Sequence, residues 1–225
     1  LDEIMGLELQ AVGEGKTVAR VQSGDPSVYG ALLEQMRVLE REGVDYEIIP
    51  GVSAAFAAAA VLKAELTVPD VSQTVILTRA QGRVSMPPME QLQDLAAHQA
   101  TLVVFLGITR MTTIVRDARA AGYPVDTPVA VVYRVGWPDE KIIRGTLTDI
   151  AAKVREAKIT LQALVFIGKV VDPALRTPDL MPEGTVATSH LYSDTYTHLY
   201  RNAKSREKAR AAANGSPVGD GVLGT

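Results

Sequence analysis

Short apolar runs recur along the chain, and segments of helical periodicity separate them. The runs at 73–78 (QTVILT), 101–106 (TLVVFL), 128–133 (PVAVVY) and 163–171 (ALVFIGKVV) are continuously apolar at their centres. That is the pattern of strands buried on both faces. Segments 17–22 and 46–50 read as two further strands. Helices are predicted over 28–42, 53–62, 89–98, 112–121 and 147–157. In the first of them Val28, Leu32, Met36 and Leu39 recur at helical spacing and form one apolar stripe. The six alanines of 53–62 allow that helix to pack close to a sheet. Continuous apolar strands alternating with helices predict an α/β fold with a largely parallel sheet covered on both faces.

The only clear linker chemistry inside the chain lies at 65–73 (ELTVPDVSQ), with Pro69 and Asp70. A boundary there divides the chain into an N-terminal α/β domain at 1–72, a C-terminal α/β domain at 73–173 and an extension at 174–225. A 225-residue chain that is 47% hydrophobic has ample material for a core. No apolar run reaches the ~18 residues that a membrane-spanning helix needs, so no membrane partner is expected. No signal or transit peptide is visible, and the chain is read as cytoplasmic. Residues 201–210 carry five basic side chains and one acid within a chain of net charge -3. The rest is therefore mildly acidic, without the basic footprint of a domain that grips nucleic acid. The basic stretch runs into the Gly-, Ala- and Ser-rich 211–225, and together they read as a frayed, solvated tail.

Three loops could carry chemistry. SGDPSVYG (23–30) follows a predicted strand and precedes a helix, where ligands of open α/β sheets bind. Gly24 admits close approach to the backbone and Asp25 supplies a carboxylate. Asp-Pro is equally an N-cap followed by a first-turn proline, and on spacing alone capping leads slightly over ligand binding. PGVSA (50–54) is a second strand-to-helix turn, in which Gly51 permits an unusual backbone angle and Ser53 can cap. YRVGWPDE (133–140) holds the only Trp of the chain, either a site residue or an aromatic plug. Arg79, Arg83 and Arg110 stand near strand ends. Gathered at one sheet edge, arginines would suit a substrate bearing several carboxylates.

Much chemistry is excluded. The phosphate-loop and dinucleotide spacings are absent, as are G-x-S-x-G and the H-E-x-x-H metal motif. With no Cys and only His98, His190 and His198, thiol catalysis and a Cys- or His-rich metal site have no support. What remains is chemistry in which a reactive cofactor does the hard part and the protein orients it.

Three blocks, SGDPSVYG, PGVSAAFAAAAVLKAELTVPDVSQTVILTRAQGR and TPVAVVYRVGWPDEKIIRGTL, together with the late LYSDTYTHLYR, resemble the tetrapyrrole methylase family. The likeness runs from Leu1 through Arg201 and is most particular to its precorrin-4 and cobalt-precorrin-4 C-11 methyltransferases of cobalamin synthesis. GDPxxYG and PGVS are widely shared in the family. The ELTxPxxSQTVILTR and WPDE blocks are more particular to the C-11 branch, and here Arg134, Val135 and Gly136 replace the more usual Lys-Ala-Ser before WPDE.

The resemblance implies two α/β domains forming a trough, with S-adenosylmethionine between them, a tetrapyrrole nearby and a homodimeric assembly. It implies cofactor contacts from Ser23, Gly24, Asp25, Val28, Ser53, Ala54, Leu106, Val135, Ala163 and Leu164. Arg79, Arg83, Arg110 and Arg134 are then candidates for the substrate carboxylates, and no catalytic residue or metal is implied. Family members begin with a further strand and a Gly- and Pro-rich loop, which the resemblance implies the first domain here lacks. Alternatives stay open: a shortened chain that binds cofactor or tetrapyrrole without turnover, a methylase of another tetrapyrrole carbon, or an RNA methylase prompted by the basic tail.

Overall fold

The computed structural model describes residues 1–177 and Ser189. The basic and Gly-rich tail, the LYSDTYTHLYR block, His190, His198 and nearly all of the predicted extension lie outside the described residues.

Three helices come first: α1 (Asp2–Gly13), α2 (Leu32–Glu42) and α3 (Ala54–Leu62). Then follow β1 (Val75–Arg79), α4 (Leu92–Ala96), β2 (Thr101–Phe105), α5 (Met111–Ala120), β3 (Pro128–Tyr133), β4 (Lys141–Thr146), α6 (Ile150–Glu156) and β5 (Ala163–Ile167). The five strands form one sheet in the order β1-β2-β5-β3-β4.

Among the described residues only the β1–β2 pairing is parallel, with Val75 opposite Thr101, whereas β2–β5, β3–β5 and β3–β4 are antiparallel. This corrects the expectation of a largely parallel sheet. A continuous apolar run reports burial on both faces, but direction depends on the path of the chain. β3 and β4 are joined as a hairpin through 134–140, and β5 enters between β2 and β3 in the opposite sense. β4 (KIIRGT) escapes the apolar pattern because it is an edge strand, only partly covered and carrying Lys141, Arg144 and Gly145. Segments 17–22 and 46–50, read as strands, join no ladder among the described residues, and Val21 and Ile49 are 90% and 67% exposed.

Alternation along the strands splits the core in two. Leu102, Val104, Val129, Val131, Val165 and Ile167 face α4, α5 and α6. Val103, Ala130, Val132, Leu164 and Phe166 face α3, which buries Ala55, Ala58, Ala59 and Leu62 against them. The small alanine side chains let the helix axis sit close to the sheet, as the sequence predicts. Burying Leu62 alone stabilises the fold by about 1.5–3 kcal/mol. The 65–73 segment is fastened to the same sheet, with the Thr101 hydroxyl donating to the Leu66 carbonyl at 3.0 Å.

Candidate functional site

One edge of the sheet collects the ends that matter. β1, β2 and β3 finish there while β5 and β4 begin, as shown by the pairs Arg79–Phe105, Tyr133–Ala163 and Tyr133–Lys141. Directly after β2 and β3, Leu106 and Arg134 adopt left-handed backbone angles, with φ of 52° and 46°. Such conformations cost non-glycine residues about 1–2 kcal/mol each and persist where the surroundings impose them. Leu106 is 73% exposed, an apolar side chain facing open space at the sheet edge. Gly107 lets α5 fold back tightly, because a Cβ there would lie 2.8 Å from the Ile114 methyl.

The first and second loops form a single unit. One Asp25 carboxylate oxygen accepts from the Ser27 amide at 2.9 Å and from the Ser27 hydroxyl, and the other accepts from the Gly51 amide at 3.0 Å. Asp25 does not cap α2, which starts at Leu32 with Ala31 as its N-cap residue. The hydrogen bonds from Ser27 and Gly51 hold the Asp25 carboxyl below the usual carboxylate range. Gly51 is needed for space, not for its angle: a Cβ there would stand 2.2 Å from the Gly24 carbonyl oxygen. Gly24 itself has φ of 75°. Ser53 caps α3 as the sequence predicts, its hydroxyl accepting from the Ala55 amide at 3.4 Å.

The first loop also reaches the sheet edge. The Tyr29 and Phe105 rings pack with centroids 5.1 Å apart, a contact that sequence reading missed, although Tyr29 lies inside the SGDPSVYG block. Partial burial raises the Tyr29 hydroxyl pKa, opposed by Arg79 and reinforced by Glu90. Ala54, Phe105 and Val135 all lean on the apolar cluster that contains Leu164. Ala163 is one residue away on the opposite face. The structure thus brings Gly24, Asp25, Ser53 and Ala54 together in one loop unit and Leu106, Val135, Ala163 and Leu164 to one sheet edge. Ser23 and Val28 belong to the first loop, with the Val28 amide donating to the Asp25 carbonyl at 3.2 Å.

The four arginines separate into two kinds. Arg79 donates to the Val84 and Ser85 carbonyls at 3.1 and 2.9 Å, so it orders its own loop. Arg134 pairs with Asp139 at 2.7 Å and lies under the Trp137 ring. Arg83 and Arg110 are exposed, Arg110 at the N-cap of α5. A cavity of about 320 Å³ lined by Leu62, Lys63, Val171 and Arg176 sits at the far end of α3, away from the loop unit. Among the described residues no helix is long and apolar enough to cross a membrane, and no cluster of three metal-ligating side chains occurs.

The two tied loops meet this end of the sheet through the Tyr29–Phe105 contact, and ligands of open α/β sheets bind at such strand ends. Residues 2–151 match the tetrapyrrole (corrin/porphyrin) methylase family model, and the chain belongs to that family. It is 49% identical over 208 residues to the cobalt-precorrin-4 C(11)-methyltransferase of Methanocaldococcus jannaschii, covering 92% of this chain and 76% of that one. The crystal structure of a cobalt precorrin-4 methyltransferase, a cobalamin biosynthetic enzyme, superposes with a TM-score of 0.75 at 50% identity, covering 77% of this chain and 72% of the other. A uroporphyrin-III C-methyltransferase from Thermus thermophilus, solved with S-adenosylhomocysteine, superposes with a TM-score of 0.60 at 28% identity, covering 76% and 74%.

Proposed function

We propose that this chain is an S-adenosylmethionine-dependent methyltransferase that methylates carbon 11 of precorrin-4 or its cobalt complex in cobalamin synthesis. The observation that carries the reading is the 49% identity to a C(11)-methyltransferase over 92% of the chain. The strand-edge site supports it. The start of α3, whose amides next to Ser53 suit the α-carboxylate of the cofactor's methionine part, belongs to this site.

Bound there, S-adenosylmethionine supplies a sulfonium methyl group whose departure leaves a neutral thioether. The protein's work is then positional. Ser23, Gly24, Asp25, Val28, Ser53 and Ala54 would hold the cofactor together with Leu106, Val135, Ala163 and Leu164. Asp25 keeps the two loops at fixed separation. Holding methyl and carbon in line supplies the barrier reduction that proximity and orientation give. Arg83 and Arg110 are free to meet substrate carboxylates, whereas Arg79 and Arg134 act through the loops they order. The reading keeps the division at 1–72 and 73–173 and takes the enzyme as a cytoplasmic homodimer. Exposed Ile49, Val52 and Phe56 are apolar surface that a second copy could cover, a point checked by sedimentation of the purified chain.

Incubation with precorrin-4 and methyl-labelled S-adenosylmethionine tests the assignment, repeated with the cobalt-loaded macrocycle. Label at carbon 11 is expected. Label at another carbon, or S-adenosylhomocysteine binding without any turnover, overturns it.

A further inference from the structure

The hairpin loop between β3 and β4 holds a feature that cofactor binding does not use. Trp137, the only Trp in the chain, is 56% exposed at the sheet edge. Exposure of the largest apolar side chain usually goes with freedom to move, yet this loop is closed by four bonds. The Trp137 amide donates to the Arg134 carbonyl and the Glu140 amide to the Trp137 carbonyl, each at 3.0 Å. The Gly136 amide donates to the Glu140 carboxylate at 2.8 Å, and Arg134 Nη1 to Asp139 at 2.7 Å.

The ring is also supported from one side. The Arg134 guanidinium carbon lies 4.3 Å from the Trp137 ring centroid and 5.9 Å from that of Tyr133. That is a cation–π arrangement, which favours the ring in this orientation. Arg134 Nε is buried without an acceptor among the described residues. The guanidinium therefore sits where it serves the ring, at the expense of one hydrogen bond. With one face on the cation, the exposed area belongs to the rest of the ring. The charges of the loop balance, Arg134 and Lys141 against Asp139 and Glu140, so a polyanion meets no net repulsion there.

We propose that Trp137 is a contact platform for one face of the substrate's tetrapyrrole macrocycle, held in place by Arg134. This rests on the tetrapyrrole methylase reading above. A rigid aromatic surface accepts the apolar face of a macrocycle without losing side-chain freedom on binding. Trp137 stands in the hairpin two residues beyond Val135, placing that surface beside the edge where the cofactor is expected.

Uroporphyrin III, a stable polycarboxylate macrocycle, is the probe, titrated by its absorbance against wild type, W137F and W137L. S-adenosylhomocysteine calorimetry and thermal melts run in parallel. Because the side chain is exposed, both variants are expected to fold. W137L is expected to weaken uroporphyrin binding about tenfold, the loss typical of one removed stacking contact. W137F should stay within about threefold of wild type, since a phenyl ring retains a stacking face. All three should bind S-adenosylhomocysteine alike. Equal uroporphyrin affinity of W137L and wild type overturns the proposal. So does parallel loss of both ligands with a lowered Tm, which marks a structural role only. A wild type that takes S-adenosylhomocysteine but no uroporphyrin overturns the platform and leaves the methyltransferase reading standing. A wild type that takes neither overturns both.

Discussion

The Asp25 carboxylate accepts a 3.0 Å hydrogen bond from the Gly51 amide, joining two loops 26 residues apart in the chain. The same carboxylate closes the turn of its own loop through Ser27. One side chain thus sets both the shape of the first loop and its distance from the second. Asp25→Ala removes the acceptor, and calorimetry should show S-adenosylhomocysteine affinity falling about tenfold, as for the loss of a bond to a charged group. Unchanged affinity with a lower Tm would leave Asp25 as a purely structural tie.

The same bond predicts a pH dependence. Its partners lower the Asp25 pKa in the folded protein, so the charged carboxylate favours the folded loop pair. That contribution is complete above the unfolded value of about 3.9 and is lost as pH falls through the lowered folded value. Ligand affinity referable to this tie should therefore be flat from neutral pH through mild acid and fall only below the ordinary carboxylate range. Carboxyl chemical shifts of Asp25 followed through acid pH check it.

Gly51→Ala is a sharper probe than Asp25→Ala. The added methyl would stand 2.2 Å from the Gly24 carbonyl oxygen, which is backbone and must move as a unit with its loop. Forcing the loops apart should cost about 1–3 kcal/mol, the range for overpacking. Urea unfolding together with calorimetry is expected to show both lower stability and S-adenosylhomocysteine binding weaker than in Asp25→Ala.

The far end of α3 is held by two arginines. Arg144 on β4 donates to the Leu62 and Val171 carbonyls at 3.1 and 2.8 Å, and Arg176 donates to Leu62 at 2.6 Å. Both satisfy carbonyls at the helix end and oppose its negative pole. Arg144→Met should destabilise the protein by about 1–2 kcal/mol, held to that range by partial solvent exposure. A double-mutant cycle with Arg176→Met in urea should give a non-zero coupling, because both act on one carbonyl.

Tyr123 is buried and donates its hydroxyl to the Ala100 carbonyl. Burial pushes its pKa up to about 12. The folded state therefore holds this proton more tightly than an unfolded chain, whose tyrosines titrate near 10. Stability should decline as pH rises from about 10 through about 12, and tyrosinate absorbance should lack one component until pH reaches about 12. In Tyr123→Phe this part of the alkaline loss should disappear.

Sequence periodicity alone located β2 and β3 almost to the residue, the small-residue helix α3 and its Ser53 cap. All of these follow from local free energies: which positions are buried, and which side chain can satisfy an amide two residues away. The motif blocks likewise pointed to the loops at 23–30, 50–54 and 133–140. Periodicity could not supply the antiparallel course of β5, the edge strand β4 or the absence of ladders at 17–22 and 46–50, because these depend on which segment becomes a partner. It put capping slightly ahead of ligand binding for Asp25, and the tertiary structure assigned the carboxylate to Ser27 and Gly51. The YRVGWPDE block marked Trp137 as unusual and the resemblance offered Arg134 to substrate carboxylates, and folding stacked one on the other. An alternation pattern records a residue's own solvent preference. Pairing between distant residues is decided only once the chain has closed its long loops and each polar group has found the partner within reach.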